Sequence, residues 1–259
     1  MKIQILSFLT AAAIAAGMTS CQENEYGVVD LTPVDRYTPV DGQYTYNHPC
    51  VMYNQADFNR VKQSLADGTA PQAVKDEFEA LKANRFVDKN YNPTPTVDVR
   101  RGISGDENYM TCAHDASAAY QMALLWQLTG DDAYADAVVR ILNAWANTCT
   151  LVTGNTNKAL AAGAQGYTLA AAGEIIRKYP NWAAADFEKF KTWMKEVWAS
   201  VNMDFMETKY NTCDTHYWSN WDLLNLSSLL AIGILTEDNS MVNYVVNEFN
   251  NGKGNGIHE

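Results

Sequence analysis

From Asn54 to the end of this 259-residue chain, apolar positions recur with a helical period. Tyr134, Ala137, Val138, Ile141, Leu142 and Trp145 fall at i, i+3, i+4, i+7, i+8 and i+11, which lays one apolar stripe along a helix. Ala119, Met122, Ala123 and Trp126 mark a partner helix, and Thr129-Gly130-Asp131 turns the one into the other. Earlier, Asn54 can cap a helix running to about Asp67, and Gly68-Thr69-Ala70-Pro71 leads into a second, from Pro71 to about Phe86. Residues 88–106 read as a polar loop, broken by Pro93, Pro95, Gly102 and Gly105 and long enough to carry function. An alanine- and glycine-rich helix over 159–179 ends at Pro180. A helix over 184–207 follows, with Phe187, Phe190, Met194, Val197, Trp198 and Val201 on one face. The last pair spans 218–235, with leucines and isoleucines on most sides, and 239–250. No stretch shows the alternation of a strand.

The helices near 110–129, 159–179 and 218–235 carry polar residues among small or apolar ones, as walls of a cleft do. Those near 131–149 and 184–207 are plainly amphipathic, as outer helices are. This alternation predicts an all-α fold, an (α/α) toroid of antiparallel helix hairpins, with a simple bundle as the alternative.

Ahead of the helices, Lys2 and the apolar run Ile3–Ala16 read as a secretory signal, too short to span a bilayer comfortably. Gly17-Met18-Thr19-Ser20-Cys21 resembles a bacterial lipobox, which makes Cys21 the expected lipidation site. Gln22-Glu23-Asn24-Glu25 resembles the surface-export signals of Bacteroidetes lipoproteins. Residues 22–50, with Pro33, Pro39, Gly42 and Pro49, show no helical period and read as a flexible tether. The expected organisation is a signal peptide over 1–21, a tether over 22–50 and a helical domain over 51–259. The expected location is the periplasm or the outer membrane and cell surface, with membrane contact only through the lipid anchor.

The chain carries a net charge of −11. Beyond residue 21 there are 18 basic against 30 acidic residues. That balance argues against nucleic acid or an anionic membrane as partner, so an anionic ligand would need a local cationic cluster. Cys50, Cys112, Cys149 and Cys213 could form up to two disulfides in three pairings, or stand as buried thiols. Their spacing contains no C-x-x-C and suggests no zinc site.

The densest chemistry is Cys213-Asp214-Thr215-His216-Tyr217-Trp218-Ser219-Asn220-Trp221-Asp222, a loop running into a helix start. Aromatic faces at Trp218 and Trp221 could pack on sugar rings, while amide and imidazole groups bind hydroxyls and carboxylates. The dipole of the helix would favour an anion there. The same string can also be an ordinary helix start with core aromatics. Three further segments could converge on that face: His114 in Thr111-Cys112-Ala113-His114-Asp115, Ala164-Gln165-Gly166-Tyr167, and Arg101 in Arg100-Arg101-Gly102. Each by itself also has a purely structural reading.

These segments carry a resemblance. His114-Asp115-Ala116-Ser117-Ala118-Ala119-Tyr120, Leu128-Thr129-Gly130-Asp131, Ile141-Leu142-Asn143-Ala144-Trp145-Ala146, Glu174-Ile175-Ile176-Arg177, Ser219-Asn220-Trp221-Asp222 and Gly252-Lys253-Gly254-Asn255-Gly256 occur in the order and spacing of the alginate lyase superfamily. The resemblance implies an (α/α) toroid that cleaves alginate or a related polyuronate by β-elimination, without metal or cofactor. It implies that Asn220 offsets the substrate carboxylate, with His216 or Tyr217 assisting proton transfer. Arg101, His114, Gln165, Tyr167, Trp218 and Trp221 would line the sugar subsites. Members of the superfamily continue past the glycine-asparagine-glycine motif, so the chain, ending at Glu259, is expected to lack their C-terminal helices and part of the catalytic set. Two other readings stand beside this one. A glycoside hydrolase would draw two acids from Asp115, Glu174, Asp214 and Asp222, and a non-catalytic surface glycan-binding lipoprotein would need only the aromatics.

Overall fold

The structure, a computed structural model, describes residues 40–214, 216–217, 219–253 and 256–257. The helices are α1 (Gln55–Ala66), α2 (Gln72–Lys82), α3 (Tyr109–Thr129), α4 (Asp132–Thr148) and α5 (Lys158–Ile176). After these come α6 (Ala184–Trp193), α7 (Ser200–Thr208), α8 (Asn220–Thr236) and α9 (Asn239–Asn251). A π-helical turn, Met194–Ala199, joins α6 to α7 without a break. The ends follow local chemistry. Asn54 and Asp57 form a capping box on α1, while Asp131 and Asp238 cap α4 and α9. Gly130 closes α3 in the left-handed conformation. The second helix stops at Lys82, short of the expected Phe86, and the fifth at Ile176, short of Tyr179.

The expected all-α toroid is what the chain forms, with α3, α5 and α8 inside and α4, α6–α7 and α9 outside. Between α3 and α8, α5 is buried on almost every side. Its small residues permit that approach: a Cβ on Gly163 would lie 2.7 Å from Leu224, and one on Gly166 2.4 Å from the Ser228 hydroxyl. Outside, Trp145, Trp198, Phe190 and Phe205 are fully buried and fill the space between the layers. The peripheral α2 has no fully buried residue, and an apolar groove lined by Val61, Phe78 and Leu128 separates it from α1 and α3. Among the described residues no helix is long and apolar enough to cross a membrane.

One expectation is corrected. Two short strands are present, β1 (Asp98–Arg101) inside the long loop and β2 (Leu151–Gly154) between α4 and α5, paired in parallel. Four residues are too few to display an alternating pattern, and a parallel partner 53 residues away leaves no local signal. Gly154, at φ 130°, allows the pairing, because a Cβ there would meet the Arg101 carbonyl at 1.8 Å. Asp115 fastens the rest of the long loop. It is 1% exposed and accepts from Tyr91 Oη (2.8 Å), Thr94 N (2.8 Å) and Trp145 Nε1 (2.7 Å).

Within the stretch expected to be a tether, residues 40–46 lie extended against α9. Asn243 exchanges two hydrogen bonds with the backbone of Gly42, and Asn247 two with that of Val40. Asn239 accepts from Tyr44 N at 3.2 Å. One helical turn matches two extended residues, so asparagines four apart meet alternate peptide units. Among the described residues, Cys50, Cys112 and Cys149 are free thiols.

Candidate active site

The three inner helices run parallel. The sheet joins the segments leading into α3 and α5, so both begin at one end. The pairs Gly163–Leu224 and Gly166–Ser228 advance together along the chain, so α8 points the same way as α5. Three helix N-termini therefore face one side of the toroid, and their dipoles favour an anion there.

At this end the loop after α7 turns inward through three successive left-handed residues: Lys209 (φ 44°), Tyr210 (φ 51°) and Asn211 (φ 60°). Such backbone is costly for residues with a Cβ and concentrates at functional sites. The turn buries Lys209, whose Nζ lies 2.6 Å from Asp222 Oδ1 and 4.7 Å from the centre of the Phe205 ring. Burial raises the Asp222 carboxyl pKa, with Lys209 opposing the rise. Glu248 is likewise raised by burial and also opposed by Lys209. Tyr210, its hydroxyl buried without a partner among the described residues, has its pKa raised by burial and by Asp204.

On this base stand the candidates of the 213–222 segment. Tyr217 is half-buried, 4.6 Å from Trp221 and 5.7 Å from Phe205 between ring centres. Trp221 also packs on Phe205, at 5.9 Å, so it belongs to an aromatic cluster more than to an open platform. His216 is exposed, edge-on to Tyr217 at 4.5 Å. Asn220 is exposed on the first turn of α8, behind Ser219 at φ 64°. Trp218 and Cys21 lie outside the described residues.

The remaining candidates are more dispersed. Arg101 stacks on Tyr109, the first residue of α3, at 4.4 Å, and so stands at the same end of the toroid. His114 is half-buried and lies against Phe86, at 5.0 Å between ring centres. Gln165 is only 6% exposed, with its Oε1 unpartnered. Tyr167, beside Gly166, sits about 12 Å deeper along the axis than Asn220. Its hydroxyl donates to Met52 Sδ at 3.8 Å, and burial with neighbouring Tyr53 raises its pKa, so it remains a protonated donor.

Sequence reasoning missed several groups here. Lys209 and Asp222 meet only because of the left-handed turn. Lys158, first residue of α5, lies 5.1 Å from the Tyr210 ring centre and 3.4 Å from Asp204, adding a cation at this end. Burial and the neighbouring Tyr53 and Tyr167 raise the Tyr120 pKa, so the three tyrosines lie together deeper in the groove. No signal along the chain pointed to them: six residues set Tyr120 about 120° around α3 from His114, and Tyr53 precedes the first helix. The acids named for a hydrolase are committed elsewhere: Asp115 to the loop, Glu174 to His48 and Arg177, Asp222 to Lys209 and Asp214 to Lys253 at 3.4 Å.

Comparison with known proteins agrees with this architecture. The family described as alginate lyase matches residues 52–257. Alginate lyase A1-III from Sphingomonas species A1 superposes with a TM-score of 0.62 at 18% identity, covering 82% of this chain and 62% of that one. A histidine-to-alanine variant of alginate lyase A1-III, complexed with tetrasaccharide, gives 0.57 at 16% identity, over 80% and 60%. A tyrosine-to-phenylalanine variant, also complexed with tetrasaccharide, gives 0.53 at 17%, over 74% and 56%. The chain thus spans about three-fifths of the length of these enzymes. No curated protein matches the sequence.

Proposed function

The chain belongs to the alginate lyase family, and from that premise we propose that it is a polysaccharide lyase acting on alginate or a related polyuronate. The observation that carries the proposal is the convergence of three inner-helix N-termini on one end, where Asn220 and His216 are exposed and Arg101 and Lys158 add positive charge. This is the local cationic setting that an acidic chain needs to hold an anionic sugar. The tetrasaccharide held by the two variant relatives adds support for a sugar ligand.

In the proposed reaction a base removes the C5 proton of a uronate, electrons move into the C4–C5 bond, and the 4-O-linked sugar leaves. The developing carbanion is conjugated with the carboxylate, so charge accumulates on the carboxylate oxygens. A donor placed there stabilises the transition state more than the ground state. We assign that donor to the Asn220 amide. His216, at the rim, takes the C5 proton, and Tyr217, its ring packed against Phe205 and Trp221, returns one to the leaving oxygen. Arg101, Gln165, Tyr167, Trp218 and Trp221 are assigned to sugar subsites. His114, tilted against the Phe86 ring, is assigned to a sugar subsite as well.

The test is absorbance of the unsaturated uronate during incubation with alginate, polymannuronate, polyguluronate and glucuronan. A rise on one of them that His216→Ala abolishes supports the assignment. Saccharide binding without any unsaturated product would favour a non-catalytic glycan-binding protein. We further propose export with a lipid on Cys21: labelled palmitate should enter the wild-type protein and not Cys21→Ala, and equal labelling of both would sink the idea.

A further inference from the structure

We propose that His48, Cys50 and Glu174 form a zinc site, at the end of the toroid opposite the candidate active site, that fastens residues 40–50 to the C-terminal ends of α5 and α8. Their donor atoms lie within 4.8 Å of one another. Cys50 Sγ is 3.8 Å from His48 Nδ1 and 3.9 Å from Glu174 Oε1. Tetrahedral zinc, with Zn–S of about 2.3 Å and Zn–N or Zn–O of about 2.0–2.2 Å, sets sulfur about 3.5 Å from nitrogen or oxygen. A thiolate, an imidazole and a carboxylate together suit zinc better than magnesium or calcium.

The surroundings are those of a ligand set. His48 Nε2 lies 3.1 Å from Glu237 Oε1, the carboxylate–histidine relay that orients a metal-bound imidazole. With the proton on Nε2, the Nδ1 lone pair is available to the metal. The Cys50 amide donates to Glu174 Oε1 at 3.1 Å, holding that oxygen beside the thiol. The C-termini of α5 and α8 present their negative poles here, which favours a cation. A cation is already present: Arg177 Nη1 lies 2.8 Å from both Glu174 Oε2 and His48 Nδ1, and Nη2 lies 3.0 Å from Glu237 Oε1. On metal binding Arg177 keeps the two carboxylates and gives up His48 Nδ1. His48 Nδ1 and Glu174 Oε1, in direct contact without metal, move apart to admit it.

Charge closes around this arrangement. Thiolate, Glu174 and Glu237 supply three negative charges against two on the metal and one on Arg177; the Lys178 ammonium is engaged outside, on the His48 carbonyl at 2.7 Å. Water takes the fourth position. Zinc binds the Cys50 thiolate, so binding releases the thiol proton. Sequence spacing could not reveal the site, because Glu174 lies 124 residues beyond Cys50.

The experiment titrates the metal-free full chain with Co²⁺ and with Zn²⁺. One equivalent should bind, Co²⁺ should give a thiolate-to-metal absorption band, and Zn²⁺ should raise the melting midpoint until a chelator reverses it. Cys50→Ser should abolish the band. Glu237→Gln should keep it while weakening affinity by about 10- to 100-fold. Absence of the band, or unchanged affinity in Cys50→Ser, would overturn the proposal and show that Arg177 alone fills the site. Because lyase turnover is not part of the readout, either result leaves the proposed function to its own test.

Discussion

The α5–α8 pair has a buried carboxylate near each end, and the two are served differently. Near the C-terminal end, Glu174 meets Arg177, His48 and the Cys50 amide, while Arg177 and His48 both reach on to Glu237. Three separate chain segments are fastened there. Near the N-terminal end, the cation that Asp222 meets among the described residues is Lys209, held in place by a left-handed turn. Above it Asn220 and His216 are exposed, with three helix N-termini around them. A cross-linked cluster suits an end that holds the chain together. A sparsely supported carboxylate beneath exposed polar groups suits an end that receives a ligand, because groups left at the surface can be spent on it.

The largest effect should separate these two carboxylates directly. Lys209→Met leaves Asp222 buried without a counter-charge and should cost about 3–5 kcal/mol by denaturant unfolding. Arg177→Met should cost less, about 1–3 kcal/mol, because Glu174 keeps His48 and the Cys50 amide. A larger loss in Arg177→Met than in Lys209→Met would reverse the comparison.

Next comes the chemistry assigned to the open end. Asn220→Ala should lower kcat by about 100-fold or more, as loss of one oxyanion-type donor does. KM should move far less, since sugar stacking and hydroxyl contacts remain. Asn220→Asp should be worse, by adding charge beside the developing carbanion. Near-normal turnover in Asn220→Ala would reduce Asn220 to a helix-end residue.

A smaller effect tests the close approach between the two ends. Gly163→Ala places a methyl 2.7 Å from Leu224 Cγ and should destabilise the fold by about 1–3 kcal/mol, with the loss seen in melting. A neutral result would mean that α5 and α8 can part without cost.

The smallest expected effect concerns pH. Burial raises the Glu248 pKa, so the folded chain holds that proton more tightly than the unfolded chain. The stability this contributes is present below the ordinary carboxylate range and is lost as pH rises through the folded value. Glu248→Gln should therefore modestly stabilise the protein at neutral pH, and the gain should shrink on acidification. A gain that persists in acid would point to packing instead of charge.

How much of this was legible beforehand follows from the range of each interaction. Helical period, capping residues and the contrast between small-residue and amphipathic helices are local, so the paired helices, their inner and outer layers and the Asn54, Gly130 and Asp131 boundaries could be read along the chain. The cluster from His216 to Trp221 was likewise visible, because one loop carries it. Tertiary structure alone decided the rest. The β1–β2 pair needs two four-residue segments brought side by side from opposite flanks of a helix hairpin. That His114 packs on Phe86, and that Trp221 joins Phe205 and Tyr217, depends on which neighbours helix packing supplies. Lys209 faces Asp222 only because three residues adopt a conformation that none of them favours alone. The junction of His48, Cys50, Glu174, Arg177 and Glu237 joins positions nearly 190 residues apart. Periodicity reports which face of a helix is apolar; it holds no information about which distant polar groups that burial forces together.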